Sequence, residues 1–173
     1  MPFILEAFWI IFILIRAAIT AIAIKKEKFS DPQLRAITEF GGVYMLLKEG
    51  NNEAALTQMN QVIAEGCQHM DMAYLMRAKA YLAMHQPERA LADVYRALDV
   101  NLFLSEAYLE KARAYLQLKE PRKAATALEY TTRLNPHHPD IYEIRGQIQW
   151  MRGQTKEAQE SWARAGALAG QHR

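Results

Sequence analysis

The chain has 173 residues, 51% hydrophobic and 23% charged, with only eight Gly and six Pro, a balance that excludes a disordered or collagen-like polymer. Such a length holds one ordinary domain or a short repeat array rather than a multidomain enzyme, and the single Cys67 excludes an internal disulfide framework or a multi-cysteine zinc site. The net charge of +2 sits in residues 1–28, where Arg16, Lys25, Lys26 and Lys28 face Glu6 and Glu27; the rest balances at seventeen of each sign, leaving no basic domain for nucleic acid.

In chain order, the first predicted element is a membrane span. Between Phe3 and Ile24 nineteen of twenty-two residues are apolar, interrupted by Glu6, Arg16 and Thr20. A helix of that length extends roughly 33 Å, against a hydrocarbon core of about 30 Å. Thirteen Phe, Ile and Leu side chains outweigh the cost of Arg16, which can snorkel to the headgroups on the Lys25 side or meet another membrane subunit. Lys25, Lys26 and Lys28 follow the span and, by the positive-inside rule, put the body in the cytoplasm, with the bacterial inner membrane as the expected site. The rival reading is a cleaved signal peptide ending near Ala21-Ile22-Ala23 and an extracytoplasmic body, but its n-region lacks Lys and Arg. A short linker over 29–35 follows, with Ser30-Asp31-Pro32 as a helix start.

The body repeats. A shift of thirty-four residues aligns Tyr74, Tyr108 and Tyr142, then Ala78, Ala112 and Gly146, then Ala90, Ala124 and Ala158. Tyr81 with Tyr115, Pro87 with Pro121 and Asn101 with Asn135 match over two periods. Apolar and small residues recur at spacings of three and four, which predicts two amphipathic helices per period, broken at Gln86-Pro87, Glu120-Pro121 and Gly153-Gln154. Ser105, Asp140 and Thr155 are expected helix caps.

This pattern resembles the tetratricopeptide repeat family, whose helix–turn–helix units of thirty-four residues stack into a right-handed superhelix. The matching positions are Tyr74-Ala78-Tyr81, Tyr108-Ala112-Tyr115 and Tyr142-Gly146 in the first helices, then Ala90-Val94-Ala97, Ala124-Leu128-Thr131 and Ala158-Trp162-Ala165 in the second. Gln149 replaces the last first-helix aromatic, and Leu102 stands where Pro136 matches the inter-repeat proline. The resemblance implies an all-α, right-handed α-solenoid with units at 71–104, 105–138 and 139–173. A degenerate unit at 36–70 precedes them, with its Ala55 thirty-five residues before Ala90. The chain reaches Arg173 without an extra polar helix, so a homo-oligomeric contact through the C-terminal end is expected.

Catalytic and cofactor motifs are not legible: there is no His-Glu-x-x-His, Gly-rich phosphate loop or Gly-x-Ser-x-Gly. Cys67, His69, Met70 and Met72 could in principle hold a soft metal, yet they read as an inter-repeat turn, and His137-His138 between prolines as an exposed connection. The chain is accordingly expected to be neither an enzyme nor a metal or cofactor protein.

The resemblance nominates positions two, five, six, nine, twelve and thirteen of each unit as a concave groove. They are Met72, Leu75, Met76, Lys79, Leu82 and Ala83; Glu106, Leu109, Glu110, Arg113, Leu116 and Gln117; and Asp140, Glu143, Ile144, Gln147, Trp150 and Met151. This composition implies an apolar, Met-rich end and an acidic middle, suited to an extended or helical protein segment with apolar anchors and some basic residues. Glu106 and Glu110 stand where one subclass carries basic residues for the acidic tails of chaperones, which argues against that ligand. The functional expectation is a membrane-anchored scaffold or assembly factor whose partners are proteins, membrane lipid and another membrane subunit, with a co-chaperone or holdase as the alternative.

Overall fold

A computed structural model describes residues 32–138 and 140–171. The expected span, with Glu6, Arg16, Lys25, Lys26 and Lys28, lies outside the described residues. Within them no helix is long and apolar enough to cross a membrane. The described chain is eight helices and no strand: α1 Pro32–Lys48, α2 Asn52–Glu65, α3 Met70–Ala83, α4 Pro87–Val100, α5 Ser105–Gln117, α6 Pro121–Leu134, α7 Ile141–Met151 and α8 Thr155–Gln171. By internal contacts the chain divides into Met1–Gly41 and Gly42–Arg173, and the hydrophobic cores belong to the second unit.

The same turn closes α1, α3, α5 and α7. Gly50, His85, Lys119 and Gly153 occupy it with φ of 77°, 55°, 59° and 78°. In each, the next residue's N–H reaches back to the carbonyl of Leu46, Tyr81, Tyr115 or Gln149, closing a Schellman motif around a left-handed residue. The spacing from Gly50 to His85 reproduces the thirty-five-residue offset between Ala55 and Ala90. Pro87 and Pro121 then open α4 and α6 at the first turn, where a missing N–H costs nothing.

The small residues sit where helices approach. Ala78, Ala112, Ala90, Ala124 and Ala158 are fully buried. Leu75, Val94 and Leu98 fill one core, and Leu109, Leu128, Ile144 and Ile148 fill the next. At Gly146 even a methyl group is excluded, since a Cβ there would lie 2.5 Å from Trp162 Nε1. The three aligned tyrosines are each covered on the same pattern: Tyr74 by Arg77 and Arg96, Tyr108 by Lys111 and Tyr130, and Tyr142 by Arg145 and Arg164.

The capping expectation is corrected. None of Ser105, Asp140 and Thr155 makes a side-chain cap: Ser105 is the first residue of α5 and its hydroxyl donates to Glu106, while Asp140 accepts from Arg113. Thr155 is the first residue of α8, and its hydroxyl donates to the Gly153 carbonyl at 3.5 Å. Backbone hydrogen bonds lead the chain into α5 and α7, and the Schellman turn at Gly153 leads it into α8, leaving those side chains for other contacts.

Candidate protein-binding groove

The first helices α3, α5 and α7 touch in succession and so form the inner side of the array. Two clefts run along it. One of about 450 Å³ is lined by Tyr44, Leu47 and Lys48 of α1, Lys79 and Leu82 of α3, and Glu110, Arg113 and Gln117 of α5. The other, about 430 Å³, is lined by Arg113, Leu116, Gln117, Gln147, Trp150 and Met151 together with Trp162 of α8. Arg113 and Gln117 belong to both, making one groove.

The nominated residues divide by depth. Leu75, Leu109 and Ile144 belong to the cores between helices, and Met76 is buried. Met72 is half-buried against the first core. The Met-rich end is therefore largely packing, because Leu75 and Met76 are covered by their neighbours and Met72 half covered. Lys79, Arg113 and Leu116 are half-buried, while Ala83, Gln117, Glu143, Gln147, Trp150 and Met151 are exposed. Leu82 is mostly covered but lines the first cleft.

The acidic middle is also changed by the structure. Glu110 is 2% exposed, receives a 2.6 Å bond from Arg113 and lies 3.9 Å from Lys79. Arg113 also binds Asp140. Burial by itself would lower the Arg113 pKa, but the Glu110 and Asp140 charges and their hydrogen bonds outweigh it and raise the net value. Glu110 thus serves the bridge instead of presenting a negative surface. Glu106 and Glu143 remain toward the starts of α5 and α7. The first cleft itself carries Lys48, Lys79 and Arg113 against Glu110, so the expected preference for a basic segment has no support there.

Three features escaped sequence reasoning: the contribution of Tyr44 and Leu47 from the degenerate unit, the Lys48 charge beside them, and Trp162 from a second helix. The glycine in place of alanine at 146, sixteen residues before a tryptophan, was the available signal for Trp162. Trp150 and Trp162 lie with ring centroids 6.0 Å apart and remain 57% and 37% exposed. Elsewhere, Cys67 Sγ lies 3.6 Å from Met70 Sδ, and the His138 ring accepts from the Asp140 N–H. Among the described residues no group of three His, Cys, Asp or Glu side chains is placed to hold a metal.

The family model described as "Tetratricopeptide repeat" matches residues 75–121 and 109–171. No curated protein matches by sequence. Among solved structures, the chain is similar to a thermophilic tetratricopeptide protein of Thermus thermophilus, at 23% identity and TM-score 0.67 over 81% of this chain and 75% of that one. It is also similar to a MamA fragment from Desulfovibrio magneticus RS-1, at 19% identity and TM-score 0.62 over 82% and 77%. The Hsp90 co-chaperone Cns1 of Saccharomyces cerevisiae matches at 20% identity and TM-score 0.61, over 82% of this chain and 46% of that one. At these identities the likeness concerns the fold.

Proposed function

The chain belongs to the tetratricopeptide repeat family of protein-interaction modules, and on that premise we propose that it is a non-catalytic scaffold that captures a partner segment in the groove from Tyr44 to Trp150. The observation that carries this reading is the continuity of the two clefts through Arg113 and Gln117, ending on the exposed Trp150 and Met151. Large exposed apolar side chains in a concave site are characteristic of binding anchors. The segment that fits is extended or helical, with an apolar side chain for the tryptophan end and a neutral or acidic stretch for Lys48 and Lys79.

The reading includes a membrane location. Phe3–Ile24 would anchor the chain, Lys25, Lys26 and Lys28 would hold the array on the cytoplasmic side, and Glu6 and Arg16 would meet another membrane subunit. A role as subunit or assembly factor of a membrane complex follows from that arrangement.

Affinity purification of the detergent-solubilised full chain, compared with a Trp150→Ala/Met151→Ser variant, tests the groove. Loss of a reproducible set of partners is expected, and an identical set from both proteins would overturn the reading. Alkaline extraction of membranes and protease accessibility in spheroplasts test the anchor. Release of the intact chain by alkali would remove the membrane part of the proposal while leaving the groove standing. Suppression of aggregation of several unrelated unfolded clients would favour a holdase over a scaffold.

A further inference from the structure

Two successive joints between the repeat units are built differently. Between α4 and α5 the Tyr95 and Tyr115 hydroxyls meet at 2.8 Å, and Lys111 Nζ lies 4.4 Å from the centre of the Tyr95 ring. Thirty-four residues on, between α6 and α7, the equivalent positions hold Glu129 and Gln149, and that joint is an open cleft of about 490 Å³.

Three arginines line this cleft: Arg133, Arg145 and Arg152. Arg145 is the equivalent of Arg77, which Asp93 neutralises with bonds of 2.6 and 2.7 Å. The residue equivalent to Asp93 is Ser161, whose hydroxyl instead donates to Gln149. None of the three arginines has a carboxylate within ion-pair distance among the described residues. Arg133 and Arg145 rest on Tyr130 and Tyr142, and Arg152 donates to the Pro121 carbonyl, contacts that hold the guanidinium groups while leaving further N–H donors unused. The floor is apolar, made by Leu128 and Ile148, and Glu129 is the one carboxylate in the lining.

Arg145 and Ile148 on α7 and Arg152 at its C-cap follow helical spacing on the face away from Gln147, Trp150 and Met151, so this cleft is distinct from the groove. We propose that the cleft between α6 and α7 is a second docking site, which takes an acidic, extended segment of a partner protein with an aliphatic side chain seated on Leu128 and Ile148. Charge complementarity selects this occupant: three planar cationic forks match carboxylates, none of them is ion-paired within the described chain, and Glu129 is the single opposing charge in the lining.

The test is fluorescence anisotropy of the full chain in detergent with a labelled peptide in which glutamates flank a leucine, beside the same peptide with glutamines. Micromolar-range binding of the acidic peptide on the order of tenfold or more tighter than the glutamine peptide is expected, weakening as salt rises. The triple variant Arg133→Gln/Arg145→Gln/Arg152→Gln should lose about tenfold or more in affinity. Glu129→Gln leaves the packing intact and should tighten binding by roughly two- to fivefold. Glu129→Tyr/Gln149→Tyr copies the tyrosine pair that joins α4 to α5 and should abolish binding with the helical spectrum retained. Loss of this binding in Trp150→Ala, with no loss in the arginine variant, would place the peptide in the groove and overturn the proposal. Equal binding of the glutamine peptide, absence of binding, or indifference to both the arginine and the tyrosine variants would overturn the proposal.

Discussion

Arg77 grips Asp93 with two parallel hydrogen bonds, 2.6 Å from Nε and 2.7 Å from Nη2, tying α3 to α4. Asp93 is 1% exposed and also accepts from Arg96, while Arg77 reaches Asn60 on α2. The hydrogen bonds to Asp93 raise the Arg77 pKa against the opposing effect of burial. Asp93→Ala would strand a charge and should destabilise the fold by about 3 kcal/mol, read from the midpoint of urea unfolding. The paired change Arg77→Met/Asp93→Leu should recover most of that loss, because it leaves neither charge behind; no recovery would mean the pair is not the cause.

At the shared left-handed turn, substitution should stabilise. His85 and Lys119 adopt positive φ without being glycine, whereas Gly50 and Gly153 occupy the same turn at less steric cost. His85→Gly and Lys119→Gly should each stabilise by about 0.5–1 kcal/mol, and Gly153→Ala should destabilise by a similar amount. Thermal unfolding followed by circular dichroism checks all three, and a fall in midpoint for the glycine variants would contradict the turn assignment.

Gly146 and Trp162 should behave as one unit. Alanine in a helix is favoured over glycine by about 1 kcal/mol, yet at 146 its methyl group meets the Trp162 ring and must displace it. Gly146→Ala alone should therefore shift the tryptophan emission, while Gly146→Ala/Trp162→Leu should be more stable than Trp162→Leu. A double-mutant cycle measures the coupling, and strict additivity would show that the close contact costs nothing.

Alkaline pH should weaken the array through Tyr115. Burial first, then the hydrogen bond and charge of Tyr95 and the charge of Glu120, push its pKa from 10.0 to about 12. The neutral phenol is the form favoured by folding, so this stabilisation is whole below pH 10.0 and is lost as the pH rises through about 12. Ultraviolet titration of Tyr95→Phe should show a tyrosine moved down toward its ordinary range, and Tyr115→Phe should remove that part of the alkaline loss of stability. A tyrosine of raised pKa that persists unchanged in both variants would refute the assignment.

Much of the fold was legible because it rests on spacing. Ala78, Ala90 and their partners announce close helix contacts wherever they recur, and Pro87 and Pro121 mark helix starts by simple covalent geometry. The groove was less legible, because identity at a position does not tell depth. Glu110 reads as surface charge until Lys79, on the preceding unit, and Arg113 are seen around it. Leu75 and Ile144 read as contact residues until their neighbours close over them. The Asp93 bridge was missed for the same reason: its partner lies sixteen residues away on another helix, and the pair does not recur in the later units.

The bridge from Lys79 to Glu110, Arg113 and Asp140 passes from one unit to the next and then to a third. In a linear array each unit is stable only in proportion to its own fold and to its joints with its neighbours. Charges shared across two successive joints raise the joint contribution, so α3, α5 and α7 should open together as a block instead of fraying singly from the ends. Amide exchange would register this as one common opening rate for those helices, and raising the salt concentration, or replacing Asp140 by Asn, should split it into several.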